Sequence, residues 1–312
     1  MGRRAMRASA VVATALSGGR TILPVLRSDP PLTLRQTDPH TVHLVSTAAG
    51  PLGGDHLALD LDVAPGTHLE IGSIASTLVL PGEGESLFVV TARVGEGALL
   101  SFTPEPTVLA AGCAHRMEVR LTLAEGARVR WREEIVFGRY GEAPGRCVAR
   151  FDATVEGRPL LRQELAIGDP ALDGSPAVYG PARCIGTTLL TAPPHRTTPE
   201  ISPTALPIEK IPAGDAASAI ISSEDIAWGG VAPEGVAPGS ATPGSAITPG
   251  SATSGGVASG GVALKSGAGG SVVAEGVAVL PLAGPGVLVS ALAADAVELR
   301  RRLDWGEAQT AW

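Results

Sequence analysis

Apolar and polar positions alternate at period two through much of the chain. The pattern is clearest in HLALDLDV (56–63), SLFVVTARV (86–94), RMEVRLTL (116–123) and CVARFDATV (147–155). Such alternation predicts half-buried β-strands. Each run leads into a glycine corner and a second, shorter alternating run. Ala64-Pro65-Gly66-Thr67-His68-Leu69-Glu70-Ile71 is echoed by Gly95-Glu96-Gly97-Ala98-Leu99-Leu100-Ser101-Phe102 and by Ala124-Glu125-Gly126-Ala127-Arg128-Val129-Arg130-Trp131. A weaker copy is Val155-Glu156-Gly157-Arg158-Pro159-Leu160-Leu161-Arg162. The corner glycines recur about every 30 residues, the signature of a repeat architecture. Each supplies the positive φ that other residues resist. The unit reads as strand, tight turn, strand and connection. Hairpin units stacked at a fixed period predict a mainly β fold of stacked strand layers, β-solenoid or sandwich-like. An ordinary antiparallel meander is the plainer alternative.

The β pattern continues through QELAIGD (163–169) and ARCIGTTLLT (182–191). VVAEGVAVLPLAG (272–284) reads as a strand. Pro285 suits a helix start, and VLVSALAADAVELRRRLDW (287–305) reads as a C-terminal helix with Leu288, Leu292, Leu299 and Leu303 on one face. Arg300, Arg301 and Arg302 sit in its last turns, where cations suit the helix dipole. A second short helix is predicted at AGDAASAIISSED (213–225). Residues 192–271 form a Pro/Gly/Ser-rich, low-complexity insertion with APGS and TPGS repeats at 237–251. Such a segment buries too little apolar surface to offset its ordering entropy and is expected to be largely disordered. The organisation is one β domain, 1–312, carrying that insertion.

Composition narrows the function classes. Forty glycines and 26 prolines in 312 residues argue against a long-helix bundle. Net charge is -7 with scattered basic residues, so there is no footprint for nucleic acid. Cys113, Cys147 and Cys184 form no CxxC pair and no dense disulfide framework, which points to a reducing compartment. Arg3, Arg4 and Arg7 precede the apolar run 8–16, a faint leader pattern; its short, Ala/Thr-rich core reads better as an edge strand entering the fold. The uncharged run 276–294 is broken by Pro281, Gly284, Pro285 and Gly286 and reads as strand and turn, not as a membrane span.

No nucleophile elbow, phosphate loop, dinucleotide fingerprint or zinc-protease motif is present. His40 and His43 flank a β-rich segment after Pro39 and read as loop or surface residues, with a metal pair as the alternative. Three segments carry denser chemistry. Gly53-Gly54-Asp55 allows a sharp turn, with Asp55 capping backbone N–H groups. Pro104-Glu105-Pro106, followed by Ala111-Gly112, stiffens a loop that presents Glu105. In Trp131-Arg132-Glu133-Glu134-Ile135-Val136-Phe137-Gly138-Arg139, alternation puts Trp131, Glu133 and Ile135 on one face and Arg132, Glu134 and Val136 on the other. A carboxylate there must meet an arginine, such as Arg139, or line a wet cavity. Paired carboxylates such as Glu133 with Asp55 leave a carbohydrate-active hydrolase as an alternative function. Scarce aromatics, 3%, count against it.

These segments in this order resemble the urease accessory protein UreD (UreH) family. The likeness begins at Gly18-Gly19-Arg20-Thr21 and Pro30-Pro31-Leu32. It runs through Gly53-Gly54-Asp55, Pro104-Glu105-Pro106, Ala111-Gly112 and Trp131 to Gly138-Arg139, and resumes in GVLVSALAADAVELRRRL. The chain departs from the family pattern at Ser46-Thr47-Ala48-Ala49, Ala75–Val79 and Ser290. The resemblance implies a non-enzymatic, cytoplasmic metallochaperone scaffold. It implies assembly with UreF, the GTPase UreG and urease apoprotein, with no tightly bound cofactor and only transient Ni2+. By the same resemblance, Asp55, Glu105, Glu133 and Glu134 are the matching acidic positions along a polar ion passage. Oxygen donors release a divalent ion that a cage of His and Cys would trap.

Overall fold

In the computed structural model, the alternating runs form strands as expected. Residues 4–191, 265–266 and 271–310 are described, and all lie in one compact unit. Nearly all of the insertion at 192–271, with the helix expected at 213–225, lies outside the described residues. The first elements are β1 (Arg7–Ser17), β2 (Arg20–Ser28), β3 (Leu32–Asp38), β4 (Thr41–Ser46), β5 (His56–Val63), β6 (His68–Ser73) and β7 (Thr77–Val79). Then follow β8 (Ser86–Val94), β9 (Leu99–Phe102), β10 (Thr107–Leu109), β11 (Ala114–Leu123), β12 (Arg128–Val136), β13 (Arg146–Val155) and β14 (Arg158–Ile167). After the short helix α1 (Pro170–Asp173) come β15 (Cys184–Thr191), β16 (Lys265–Ser266), β17 (Val272–Ala274), β18 (Val277–Pro281), β19 (Val287–Ala293) and α2 (Ala296–Ala308).

The strands form two sheets. The first runs β14-β13-β11-β8-β5-β1-β2; the path of the second is β16-β17-β18-β19-β15-β12-β9-β6-β4-β3. This is a β-solenoid, and it corrects the hairpin reading of the repeat. At Gly66, Gly97 and Gly126 the two strands of a unit do not pair. The chain leaves one sheet at the corner and enters the other. β5, β8, β11 and β13 then stack in parallel, as do β4, β6, β9 and β12. Each corner closes with an i+3 N–H to i carbonyl bond, such as Ala98 to Gly95 at 3.1 Å, with glycine at the third position in positive φ, the type II pattern. Only the fourth copy is a true hairpin: β13 and β14 pair antiparallel across Glu156 (φ 48°) and Gly157 (φ 72°). That turn ends the parallel stack of the first sheet.

Register stacks like side chains on like. Leu59, Val90, Val119 and Phe151 are successive neighbours across the first sheet; Leu61, Ala92, Leu121 and Ala153 form the next row. Facing them, Ile71, Phe102 and Trp131 line the second sheet. All belong to one buried core, and each fully buried large side chain contributes about 1.5–3 kcal/mol.

Three further expectations change. β1 is not an edge strand: it lies between β5 and β2. The single strand expected at 272–284 is a hairpin, β17 and β18, turning at Glu275-Gly276. The helix expected from Val287 starts only at Ala296, because 287–293 pairs as β19 with both β15 and β18. Leu288 and Leu292 are therefore strand residues, and only Leu299 and Leu303 share the buried helix face. Asp295 caps the helix, accepting from the Glu298 N–H at 2.8 Å. Among the described residues, no helix is long and apolar enough to cross a membrane.

Helix α2 lies on the outer face of the second sheet. Gly186 and Gly306 permit the close approach. A Cβ at Gly186 would fall 2.8 Å from Leu303 Cδ1, and one at Gly306 would fall 2.4 Å from Val289 Cγ1. This cover explains why β15 is buried on both faces.

Candidate functional site

Strand β12 divides its side chains as the alternation requires. Trp131 points into the core, stacked on Phe102 with ring centroids 4.1 Å apart and edge-on to Phe151 at 5.7 Å. Its indole nitrogen is buried and meets no acceptor among the described residues. Glu133 follows on the same inward face. It lines a void of about 10 Å³, room for roughly one water. The void is walled by Ile135, Phe151, Gln163, Leu165 and Thr187, among others. Burial alone pushes the Glu133 carboxyl up to about 7.

The outward face carries Arg130, Arg132 and Glu134 beneath α2. The Arg132 side chain is 6% exposed. It donates from Nη2 to Asp304 Oδ1 at 2.6 Å, from Nε to Glu307 Oε1 at 3.0 Å and from Nη2 to the same Glu307 oxygen. Burial works against its charge, yet Glu307 and Asp304 outweigh that effect and hold its pKa above the ordinary arginine value. Arg130 donates to the other Glu307 oxygen at 2.8 Å. Glu134, 1% exposed, lies 3.4 Å from Arg300 and 3.8 Å from Arg132. Burial raises its pKa, with Arg300 opposing. The same Arg300 reaches Glu105 Oε2 at 3.1 Å. One helical guanidinium thus bridges the two acids singled out in separate sequence segments.

Asp55 is fully buried and sits elsewhere. Its carboxylate accepts from the Met6 N–H at 2.9 Å and the Leu52 N–H at 3.0 Å, while its carbonyl accepts from the Leu87 N–H at 2.7 Å. It therefore ties the chain entry to two coils, and it does not line the Glu133 void. That void holds a single carboxylate among the described residues. Glu133 and Asp55 are not brought together as an acid–base pair.

The other motif residues occupy structural corners. A Cβ on Gly53 would fall 2.5 Å from the Gly82 carbonyl carbon, so only glycine allows that backbone crossing. Gly54 and Gly112 adopt positive φ. Pro104 and Pro106 flank Glu105, whose N–H donates to Ser73 Oγ at 2.8 Å, and the Pro106 carbonyl accepts from the Thr77 N–H. After Gly138 (φ 80°), Arg139 turns away from Glu133 and Glu134. It pairs instead with Glu142, whose carboxyl the guanidinium holds down at about 2. Arg139 was the expected partner; the arginines that serve β12 come from α2 and from β12 itself. No local spacing announced this, because Arg300 and Glu105 are 195 residues apart. Also unremarked in sequence were His68 and Glu70, two residues apart on β6 and beside His40. Their His-x-Glu spacing on an alternating strand was the available signal.

Comparison with known proteins bears on the whole of this architecture. The profile of a family described as "UreD urease accessory protein" matches residues 6–310. The chain is 36% identical to a "Urease accessory protein UreD" of Frankia casuarinae, over 98% of this chain and 90% of that one. It is 34% identical to the protein of the same description from Streptomyces coelicolor, over 96% and 94%. It is 37% identical to another from Parafrankia, over 97% and 88%.

Proposed function

Because this chain belongs to the UreD urease accessory protein family, and so serves urease maturation as a non-catalytic scaffold, we propose that it does so in the cytoplasm by assembling with UreF, UreG and urease apoprotein and letting Ni2+ pass transiently along carboxylates. The observation that carries this reading is the extent of the match, which runs from β1 through α2 and includes every coil.

The ion is cargo in this reading. Glu133 is the carboxylate best suited to hand it on. It is the one carboxylate among the described residues lining a void with room for about one water, and with a pKa near 7 it is partly protonated at neutral pH. An arriving divalent cation displaces that proton, and a returning proton releases the cation. A single oxygen donor set of this kind binds weakly, as transit requires. Glu134 and Glu105 lie on the opposite side of β12 and are neutralised by Arg300. They accept an ion only when that guanidinium swings away, so they act as a gated pair. Asp55, spent on backbone N–H groups, holds the coils against one another beside this route.

The test is deletion of the gene in its host, with urease activity and urease nickel content measured, followed by complementation. Loss of nickel-loaded urease, restored by the wild-type gene and only partly by Glu133→Gln, is expected. Fully nickel-loaded urease in the deletion strain refutes the reading.

A further inference from the structure

The outer face of the second sheet has two halves. One is covered by α2. The other, across β6 and β4, carries a side-chain cluster that the urease reading does not use. His68 and Glu70 lie two apart on β6 and share its outward face, because Leu69 and Ile71 take the inward one. His40 sits in the turn between β3 and β4. The Glu70 N–H donates to the His40 carbonyl at 2.8 Å, which binds that turn to β6. The His40 ring then stacks on His68, with centroids 4.3 Å apart and planes at 29°. Thr41 Oγ1 donates to Glu70 Oε2 at 3.1 Å and fixes the carboxylate, whose Oε1 lies 3.3 Å from His68 Nε2.

One potential ligand atom from each of the three residues falls within 4.8 Å of the others, and all three residues are half-buried. A first-row ion holds nitrogen and oxygen donors at about 2.0–2.2 Å. Two such donors at ordinary coordination angles therefore sit about 3.0–3.5 Å apart. The His68–Glu70 separation of 3.3 Å already meets that condition, and the His40 ligand atom lies within 4.8 Å of both.

We infer that His40, His68 and Glu70 form a surface site for a divalent first-row transition ion, Zn2+ or Ni2+, with open coordination positions for water or a partner's ligand. Two imidazoles with one carboxylate suit these ions, whereas Mg2+ and Ca2+ demand oxygen. This site stands apart from the carboxylate route and does not depend on it.

The experiment is titration of the tag-free, chelator-stripped full chain with Ni2+, Zn2+ and Mg2+ in separate arms, followed by calorimetry. The chains compared are wild type, His68→Ala, His40→Ala, Thr41→Ala and Glu133→Gln. In the wild type, Ni2+ or Zn2+ should fill one equivalent that both histidine variants lose. Thr41→Ala should weaken that equivalent by about 10-fold or more, the size of an outer-sphere effect. Glu133→Gln should retain it, and X-ray absorption should show imidazole scattering that His68→Ala abolishes. Circular dichroism identifies any variant that misfolds, and either histidine variant alone then decides. Equal stoichiometry and affinity in wild type and both histidine variants overturns the site, as does binding of Mg2+ in place of the transition ions.

Discussion

At the scale of single residues, β12 sets two neighbouring carboxylates in opposite circumstances. Among the described residues Glu133 has no cation beside it, and burial raises its pKa from 4.5 to about 7. The folded state therefore binds more protons than the unfolded state between these values, and stability falls as pH rises through that window. Above it, the buried charge costs on the order of 2 kcal/mol after allowance for partial exposure. Glu133→Gln should raise the urea midpoint at pH 8 and leave it unchanged at pH 4; an equal effect at both values means that the acid is not strained. Arg132 presents the reverse case, a buried cation whose value lies in its partners. Arg132→Leu leaves Glu307 and Asp304 without it, and should cost about 3 kcal/mol. Adding Glu307→Leu should recover part of that loss in a double-mutant cycle. Strict additivity of the two losses rules out the coupling. The alternation of β12 was legible in the sequence, including that the two acids take opposite faces; which of them turns to the core was left open. The identity of the arginines was not, because a guanidinium arriving from 166 or more residues away leaves no local spacing.

At the scale of elements, the corner glycines were legible and their topology was not. A glycine in positive φ between two alternating runs serves a hairpin and a solenoid corner equally well. The difference lies in which strand receives the next hydrogen bonds, and here the receiver is one repeat away. The two cases differ only where the turn needs two positive-φ residues, as at Glu156-Gly157. β19 was misread for a related reason: VLVSALA is apolar enough for either period, and its partners β15 and β18 decide. Corner energetics can be isolated at Gly97, where φ is +60° and a Cβ would meet nothing within 4 Å. Gly97→Ala therefore tests backbone strain without a clash. It should cost about 1–2 kcal/mol, read by urea denaturation. Gly97→Asn should cost less, since asparagine tolerates this conformation. A neutral Ala variant would mean that the corner relaxes out of the left-handed region.

At the scale of the molecule, the solenoid stack leaves one sheet face to be finished by distant sequence. Val277, Val279 and Val289 meet α2 at Gly306, and Leu299 and Leu303 fill the groove above Gly186. The ion pairs of Arg132, Arg130 and Arg300 fasten the helix to β12 along its edge. Apolar burial and charge pairing thus act on the same thirteen-residue element. Ending the chain before Asp295 removes both at once: it exposes a contiguous valine patch and strips Arg132 of two carboxylates. A patch of that kind on a sheet face promotes association. The truncated chain should lose soluble yield and bind a hydrophobic dye. A milder variant, Leu299→Ala with Leu303→Ala, should keep the ion pairs yet lose about 4 kcal/mol or more through cavity formation. If the truncation stays soluble with native circular dichroism, the parallel stack is self-sufficient and α2 serves only to set Arg300 over Glu105 and Glu134. If it fails while the double variant folds, charge pairing fastens the helix more firmly than its leucines do.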